Sequence, residues 1–227
     1  MYLALFLIFG MFASPGSALA QVPPSAQETA RYTGVFAAAS RGDAALIASL
    51  VAEGADVNAR DGYGRTPLHV AAFAGRHAAM RALAAAGADP NALENDRYDM
   101  VTIAAVANDL STLQVALVIG NRPTNITSRY DGTALIAAAH LGHAGIVREL
   151  IRAGAPLDHV NNLGWTALIE SIVLGDGGAR HVATLKALVD AGANVNIADR
   201  GGAAPLALAK GRGYAAMVAI LEKAAAR

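Results

Sequence analysis

The sequence predicts an all-α solenoid in which units of helix, turn and helix stack side by side, with a β-hairpin-like loop projecting between units. The first observation is a glycine series, since Gly54, Gly87, Gly120, Gly154 and Gly192 follow one another at 33, 33, 34 and 38 residues. The second is the composition, because the 227 residues are 54% hydrophobic and include no cysteine. A repetitive apolar chain without disulfides has to be stabilised by packing between its units.

A second series, in which one asparagine replaces a glycine, keeps the same period. Its members are Gly42, Gly75, Asn108, Gly142, Gly175 and Gly213. We expect this series to mark the turn between the two helices of each unit. We expect the first series to end the second helix, because glycine readily adopts the left-handed conformation of a helix stop.

The starts of the first helices can also be placed. Thr66, Thr133 and Thr166 directly precede apolar runs, and their hydroxyls can accept the unpaired N–H groups of a helix start. Pro67 suits the first turn, because its missing N–H costs nothing there. Alanine pairs allow neighbouring helices to approach closely. One larger apolar residue per unit is expected to fill the core: Leu68, Val101, Leu135, Leu168 and Leu206.

Residues 61–72 read D-G-Y-G-R-T-P-L-H-V-A-A, and G-A-D-P-N follows at 87–91. This pattern resembles the ankyrin repeat almost residue for residue. The resemblance extends over residues 31–227, which divide into six repeats: 31–60, 61–93, 94–127, 128–160, 161–198 and 199–227. It implies a protein partner bound through the concave face and the loop tips, with no cofactor.

Two repeats depart from the pattern. In repeat 5 the glycines Gly175 and Gly192 are 17 residues apart, whereas the corresponding pairs of three other repeats are 12 apart. We place the five extra residues at 176–180, in a tolerated loop between the two helices. In repeat 3, residues 99–102 read D-M-V-T in place of T-P-L-H. The loops leading into repeats 3 and 4 are therefore expected to differ in shape from the others.

The first 20 residues have a different composition from the rest of the chain. They contain no charged side chain, and they end in Ala18-Leu19-Ala20, which a signal peptidase can accommodate before Gln21. Residues 1–20 are therefore interpreted as a signal peptide, 21–30 as a short linker, and the mature protein as periplasmic or secreted. The alternative is an uncleaved anchor that makes the protein a membrane-tethered scaffold.

The chain shows no recognisable enzymatic motif. It has no G-x-S-x-G, H-E-x-x-H or phosphate-binding loop sequence, and His140 and His143 have no third metal ligand in sequence reach. The formal net charge of zero does not favour nucleic acid or a membrane surface. His77, His159 and His181 are interpreted as surface residues. We predict no catalytic, cofactor or metal site, and the alternative is an enzyme with an unrecognised site.

We expect the solenoid to be a monomer. Aligning the six repeats predicts which side chains face its partner. Apolar first-helix residues of repeats 2 to 5 form a line that is more apolar than a solvated face should be, which is typical of an interaction site. The alternative is that some of them pack against their neighbours. Phe73 and Val106 are expected near the centre of the contact. The predicted partner-binding residues are Tyr63, Val70, Phe73, Tyr98, Ile103, Val106, Tyr130, His140, Leu141, Glu170, Val173 and Leu174.

Overall fold

The computed structural model describes residues 21–226, and within this range the chain forms thirteen α-helices and no β-strand. The helices are α1 (Ala26–Arg31), α2 (Gly34–Arg41), α3 (Ala44–Ala52), α4 (Pro67–Phe73), α5 (His77–Ala85), α6 (Met100–Ala107), α7 (Leu110–Val118), α8 (Ala134–His140), α9 (Ala144–Arg152), α10 (Ala167–Val173), α11 (Ala179–Asp190), α12 (Pro205–Gly211) and α13 (Ala215–Ala225). None of these thirteen combines the length and hydrophobicity that crossing a bilayer requires. The predicted signal peptide and its alternative, a retained anchor, lie outside the described residues.

From α2 onwards the helices form two layers. The even-numbered helices α2 to α12 are the inner helices, and the odd-numbered helices α3 to α13 are the outer helices. Each inner helix packs against the next inner helix and against the outer helix of its own repeat. The six helix pairs of the described chain therefore form one stack, which confirms the predicted all-helical solenoid.

The alanine pairs lie in the core, where neighbouring inner helices meet. Each of these side chains is at most 4% exposed: Ala38, Ala39, Ala71, Ala72, Ala104, Ala105, Ala138 and Ala139. Leu68, Val101, Leu135 and Leu168 are also buried, as predicted, whereas Leu206 in the last repeat is half-buried. Short side chains allow the helix backbones to approach, and the larger residues fill the remaining space.

The predicted threonine caps are confirmed. The hydroxyls of Thr66, Thr133 and Thr166 accept the backbone N–H three residues further on, at 3.4, 3.3 and 3.2 Å respectively. In repeat 3 the carboxylate of Asp99 replaces the threonine and accepts the N–H of Thr102 at 2.9 Å. An aspartate is an equally good helix cap, so the departure of repeat 3 from the sequence pattern preserves the helix start.

A hairpin-like loop precedes each inner helix from α4 onwards. In three of these loops the first side chain accepts the backbone N–H groups two and four residues further on, which closes the turn. These side chains belong to Asp61, Asn161 and Asp199. Successive loops are also joined, since the N–H of Asn95 donates to the Tyr63 carbonyl at 3.0 Å and that of Asn162 to the Tyr130 carbonyl at 2.9 Å.

The insertion of repeat 5 is not simply a longer loop, and that prediction is wrong in part. Residues 179–180 form the first turn of α11, which has 12 residues, whereas α5, α7 and α9 each have 9. Asp176 Oδ1 lies 2.8 Å from Nδ1 of His181. The hydroxyl of Tyr214 in repeat 6 donates to the Gly175 carbonyl at 2.9 Å. Gly177 of the insertion also lies directly against the Tyr214 ring, so the inserted segment and the residue before it contact repeat 6.

The segment 21–30, predicted as a short linker, contains most of helix α1. Ser25 and Glu28 form a reciprocal capping box, with bonds of 3.2 and 2.9 Å. The guanidinium of Arg65, which is only 1% exposed, donates to the carboxylates of both Glu28 and Asp61. Helix α1 is thereby attached to the loop of repeat 2. This attachment is not visible in the local sequence pattern, because Glu28 and Arg65 are 37 residues apart.

We expect Tyr214→Phe to lower the free energy of unfolding by about 1 kcal/mol, because the Gly175 carbonyl loses its donor. Urea unfolding measures the loss, and hydrogen exchange should place it in α12 and α13. Tyr63→Phe is the matched control. Tyr63 is 47% exposed, and its hydroxyl forms no hydrogen bond with any described residue. Equal stability of the two variants would contradict a link between the inserted segment and repeat 6.

We also expect α1 to detach in acid. Hydrogen bonds from Ser25, together with the guanidinium of Arg65, lower the pKa of Glu28 to about 2, compared with about 4.3 for an unfolded glutamate. Because the folded pKa is the lower one, this attachment contributes stability above about pH 4.3 and loses it as the pH falls towards 2.

An NMR titration of the α1 amides from pH 6 to pH 2 tests this expectation. In Glu28→Gln the amide signals should already report a detached helix at pH 6, and Glu53→Gln, which changes an exposed carboxylate of repeat 1, should behave like the wild type. Unchanged α1 signals in Glu28→Gln would show that the ion pair does not hold the helix.

Candidate partner-binding groove

The groove is the surface formed by the exposed side of the inner helices and the loops that precede them. The twelve predicted residues are exposed to very different extents. The most exposed are Tyr63 at 47%, Leu174 at 42% and Tyr130 at 36%. The half-buried ones are Phe73, Val106, His140, Leu141 and Val173. The buried ones are Val70, Tyr98, Ile103 and Glu170.

The prediction of a continuous exposed apolar line is therefore wrong at Val70 and Ile103. Both side chains are 2% exposed, because the inner helices approach closely enough to cover this position. Ile103 belongs to the continuous apolar core. The alternative considered for the smaller side chains, packing against their neighbours, is correct for these two residues.

The N-terminal part of the groove lies beside the segment that leads into α1 and beside α1 itself. Pro24 and Thr29 border a small cavity of about 230 Å³ whose opposite wall includes Val70 and Phe73. Phe73 was expected near the centre of a partner contact, but it shares this cavity with the segment that carries α1.

A deeper pocket lies where repeats 3, 4 and 5 meet, and it has a volume of about 270 Å³. We call it the aromatic pocket, because two tyrosines and the only tryptophan of the chain line it. Its lining residues are Tyr98, Thr102, Thr127, Ser128, Tyr130, Gly132, Thr133, Ile136, Ala137, His140, Asn161, Leu163, Trp165, Glu170 and Leu174. Most of the surface inside it is apolar.

The aromatic pocket collects some of the predicted residues and leaves others outside. Five of the twelve line it: Tyr98, Tyr130, His140, Glu170 and Leu174. The other seven do not: Tyr63, Val70, Phe73, Ile103, Val106, Leu141 and Val173. The five come from the loops before α6 and α8, the end of α8, and α10 with its C-terminal cap.

Three important lining residues were not among the predicted ones. Trp165 and Leu163 lie in the loop before α10, and Asn161 begins that loop. Asn161 could have been recognised because it occupies the position that Asp61 has in repeat 2, where the side chain closes the turn.

The loop of repeat 4 differs in shape from the others, as predicted, whereas that prediction is wrong for repeat 3, whose loop closes through the same backbone hydrogen bonds as repeat 2. Arg97 and Asp131 have left-handed backbone conformations with φ of 66° and 51°, but glycines at the same position of repeats 2, 5 and 6 do too; only the left-handed Ser128, with φ of 63°, and the bridge between Thr127 and Gly132 are particular to repeat 4. Non-glycine residues adopt this region at an energetic cost and often do so at functional sites. Two ion pairs join the loops: Arg97 with Asp131 at 2.7 Å, and Arg129 with Asp96 at 2.9 Å. These loops form one wall of the aromatic pocket.

The polar groups of the aromatic pocket centre on Glu170, which is 3% exposed. Its Oε1 accepts a hydrogen bond from Asn161 Nδ2 at 2.9 Å. Its Oε2 receives no hydrogen bond from the described residues and lies 3.3 Å from Nδ1 of His140. Burial raises the pKa of the nearby Tyr98 phenol, so this lining side chain stays neutral over a wide pH range.

The remaining histidines have structural partners. His69 Nδ1 accepts the Thr66 N–H at 3.1 Å, and burial lowers the pKa of this imidazole. His143 Nδ1 lies 3.0 Å from the Ala105 carbonyl. His181 was interpreted as a surface residue, but it is 5% exposed, because its ring packs between the inserted segment and the His140 carbonyl. Within residues 21–226 no three potential ligands converge on a metal position.

Asn125 begins an Asn-Ile-Thr sequence, an acceptor pattern for N-linked glycosylation, and its side chain is engaged in hydrogen bonds within the fold. Its Nδ2 donates to Asn91 Oδ1 and to Asp99 Oδ2, both at 2.9 Å. Asn121 donates to the same carboxylate oxygen at 2.9 Å. These bonds hold the loop between repeats 3 and 4 against the start of α6.

Comparisons with known proteins agree with this architecture. The family model "Ankyrin repeats (3 copies)" matches residues 13–94 and 101–199. An ankyrin repeat domain from Acinetobacter baumannii AYE is 41% identical, with a TM-score of 0.78 over 84% of this chain and 97% of that one. The ankyrin repeat domain of Bcl-3 is 27% identical, with a TM-score of 0.75 over 86% of each chain.

A third similarity shows the fold alone. It is to the structure of the Bd0816 predatory endopeptidase from Bdellovibrio bacteriovorus in complex with immunity protein Bd3460, at 22% identity and a TM-score of 0.69, over 85% of this chain and 98% of that one. No protein with a curated function matches the chain significantly. The matched family model covers most of the helix pairs described above, and the chain belongs to the ankyrin repeat family, whose members are typically protein-interaction modules.

Proposed function

We propose that this protein is an exported protein–protein interaction module whose partner binds the groove at the aromatic pocket. The observation that supports this most directly is the pocket itself, which combines aromatic and apolar walls with few polar groups. Tyrosine and tryptophan are enriched where binding energy concentrates in protein interfaces. A concave apolar site with a few converging polar groups is the usual form of a binding site.

Exposed apolar side chains at the rim support the same proposal. Leu163 is 37% exposed, Leu174 is 42% exposed, and Tyr130 between them is 36% exposed. A cluster of this kind, adjacent to a pocket, is favourable to cover and is typical of an interaction surface. We therefore place the centre of the partner contact in repeats 4 and 5, and no longer at Phe73 and Val106.

Export rests on the sequence of residues 1–20 and on no structural observation. The short apolar run and Ala18-Leu19-Ala20 favour cleavage before Gln21 and a periplasmic or secreted location. If the segment is retained, the same groove belongs to a membrane-tethered scaffold. Both versions assign the same role to the described residues.

An enzyme is the second candidate, because a buried carboxylate next to an imidazole is an acid–base pair. A hydrolytic site of this type also requires a nucleophile in hydrogen-bond reach of the base. The pocket hydroxyls of Ser128 and Thr133 instead accept backbone N–H groups at 3.2 and 3.3 Å. Within the described chain no hydroxyl is bonded to His140, so the geometry favours binding over catalysis.

Site-specific photo-crosslinking in the producing cells tests where the partner binds. With a photoreactive amino acid in place of Leu163, we expect a discrete crosslinked product of defined mass. In place of Val118, which is 79% exposed on the outer helix α7, the same amino acid should give no such product. Crosslinking from both positions alike, or from neither, would contradict a groove-bound partner.

A pair of double variants tests the energetic contribution of the rim. Leu163→Glu with Leu174→Glu should weaken capture of the crosslinked partner by roughly 30-fold or more, since central interface contacts often contribute about 2 kcal/mol. Leu110→Glu with Val118→Glu makes the same chemical change on exposed residues of the outer helix α7. Circular dichroism must show equal helical content for both. Equal capture by both would contradict the proposed site.

N-terminal sequencing of the native protein tests export. We expect a mature chain that begins at Gln21 and is released with the periplasmic or secreted fraction. An intact Met1 in the membrane pellet would contradict cleavage and would favour the membrane-tethered scaffold.

A further inference from the structure

The inference concerns the charge at the base of the aromatic pocket. Glu170 is the only acidic residue among the fifteen described residues that line it, and none of the fifteen is a lysine or arginine. In the repeat frame Glu170 occupies the position of Val70, Ile103 and Ala137, which are apolar and at most 7% exposed. A carboxylate at a position that is otherwise apolar is costly, so stacking of the repeats does not account for it.

The carboxylate is also incompletely paired. Oε1 accepts the Asn161 amide at 2.9 Å, but Oε2 receives no hydrogen bond from the described residues. The nearest polar nitrogen, His140 Nδ1 at 3.3 Å, balances the charge only when the imidazole is protonated. A buried carboxylate with a free oxygen favours the arrival of a cation that donates hydrogen bonds.

We infer that the aromatic pocket receives a lysine side chain presented by the protein partner, with its ammonium group directed to the Glu170 carboxylate and its alkyl stem against the apolar walls. This inference rests on the proposed function and specifies the chemistry of the partner. Lysine fits because its alkyl stem suits the apolar walls, and its ammonium group suits both the Glu170 carboxylate and the aromatic faces.

The volume fits one side chain. Pockets for drug-sized ligands have roughly 300–1,000 Å³, and the aromatic pocket has about 270 Å³. A lysine has a flexible four-carbon stem, which suits the walls formed by Ile136, Leu163 and Leu174. Its ammonium group is attracted by aromatic faces, and Tyr98, Tyr130 and Trp165 also line this space.

The free oxygen favours lysine over arginine. An arginine binds a carboxylate best through two parallel bonds, one to each oxygen. Asn161 already donates to Oε1 of Glu170, which leaves one oxygen for the ligand. The compact ammonium group of lysine needs only one. A negatively charged side chain would instead be repelled by Glu170.

Trp165 provides the readout, because it is the only tryptophan of the chain and lines the pocket. The probe is the tripeptide acetyl-Gly-Lys-Gly-amide, titrated against the purified mature protein while the tryptophan fluorescence is followed. Three matched tripeptides carry norleucine, Nε-acetyllysine or glutamate at the central position. We expect a saturable change with the lysine peptide and at least about tenfold weaker binding of the other three.

Two variants test the contribution of the Glu170 carboxylate to binding. Glu170→Gln preserves the shape and the oxygen that accepts from Asn161, and it should weaken the lysine peptide by about tenfold. Glu53→Gln removes one negative charge from repeat 1, far along the chain from the pocket, and should change nothing. Thermal melting checks that both variants are folded. If Glu170→Gln does not fold, the peptide comparison on the wild-type protein still decides.

Several results would overturn the inference. Equal binding of the lysine and norleucine peptides would make the pocket purely apolar, and tighter binding of the glutamate peptide would indicate a protonated His140. If no peptide binds but crosslinking from Leu163 persists, the partner uses the groove without a lysine, and only this inference fails. If that crosslinking also fails, the proposed function fails with it.

Discussion

The structure depends on the close approach of neighbouring inner helices. A single helix pair cannot bury its own apolar face, so each repeat is stabilised by the repeats next to it. Paired alanines at positions such as 71–72 and 138–139 make this approach possible, because they add almost no volume between the backbones. The two ends of such a stack have one neighbour fewer and need polar caps. At the C-terminal end Lys210 pairs with Glu222 at 2.8 Å, and near the N-terminal end α1 is attached to the loop of repeat 2 through Glu28 and Arg65.

The same stacking determines where a binding site can form. Because successive inner helices are parallel and close, the loops before them lie side by side and are joined by backbone hydrogen bonds. Regular loops give a flat surface, and a pocket requires a local departure from regularity. The loop of repeat 4 departs through the left-handed Ser128 and the pairing of Thr127 with Gly132. At the other end of the groove, Pro24 and Thr29 line the same cavity as Phe73.

A buried carboxylate in an apolar stack reduces stability unless another group compensates for it. Glu170 therefore lowers the stability of the stack at the aromatic pocket, and we attribute its presence there to binding. Asn161 compensates one oxygen and keeps the carboxylate fixed in one orientation. In the proposed complex the other oxygen contributes selectivity, since a cationic donor gains more from it than a neutral donor and an anionic group is repelled. An affinity of this kind comes from a few fixed groups on a rigid support, which the close-packed repeats provide.

The sequence by itself determined the repeat, its period, the helix starts at Thr66, Thr133 and Thr166, and the core positions, because these follow from local periodicity and local hydrogen bonding. It also located five of the residues that line the pocket. Tertiary structure decided what the period could not: that Val70 and Ile103 are covered by neighbouring helices, that α1 folds back onto Arg65, and that part of the insertion lengthens α11. These features depend on contacts between residues about 30 or more positions apart or on packing between repeats, and a single repeat unit read in isolation carries no record of either.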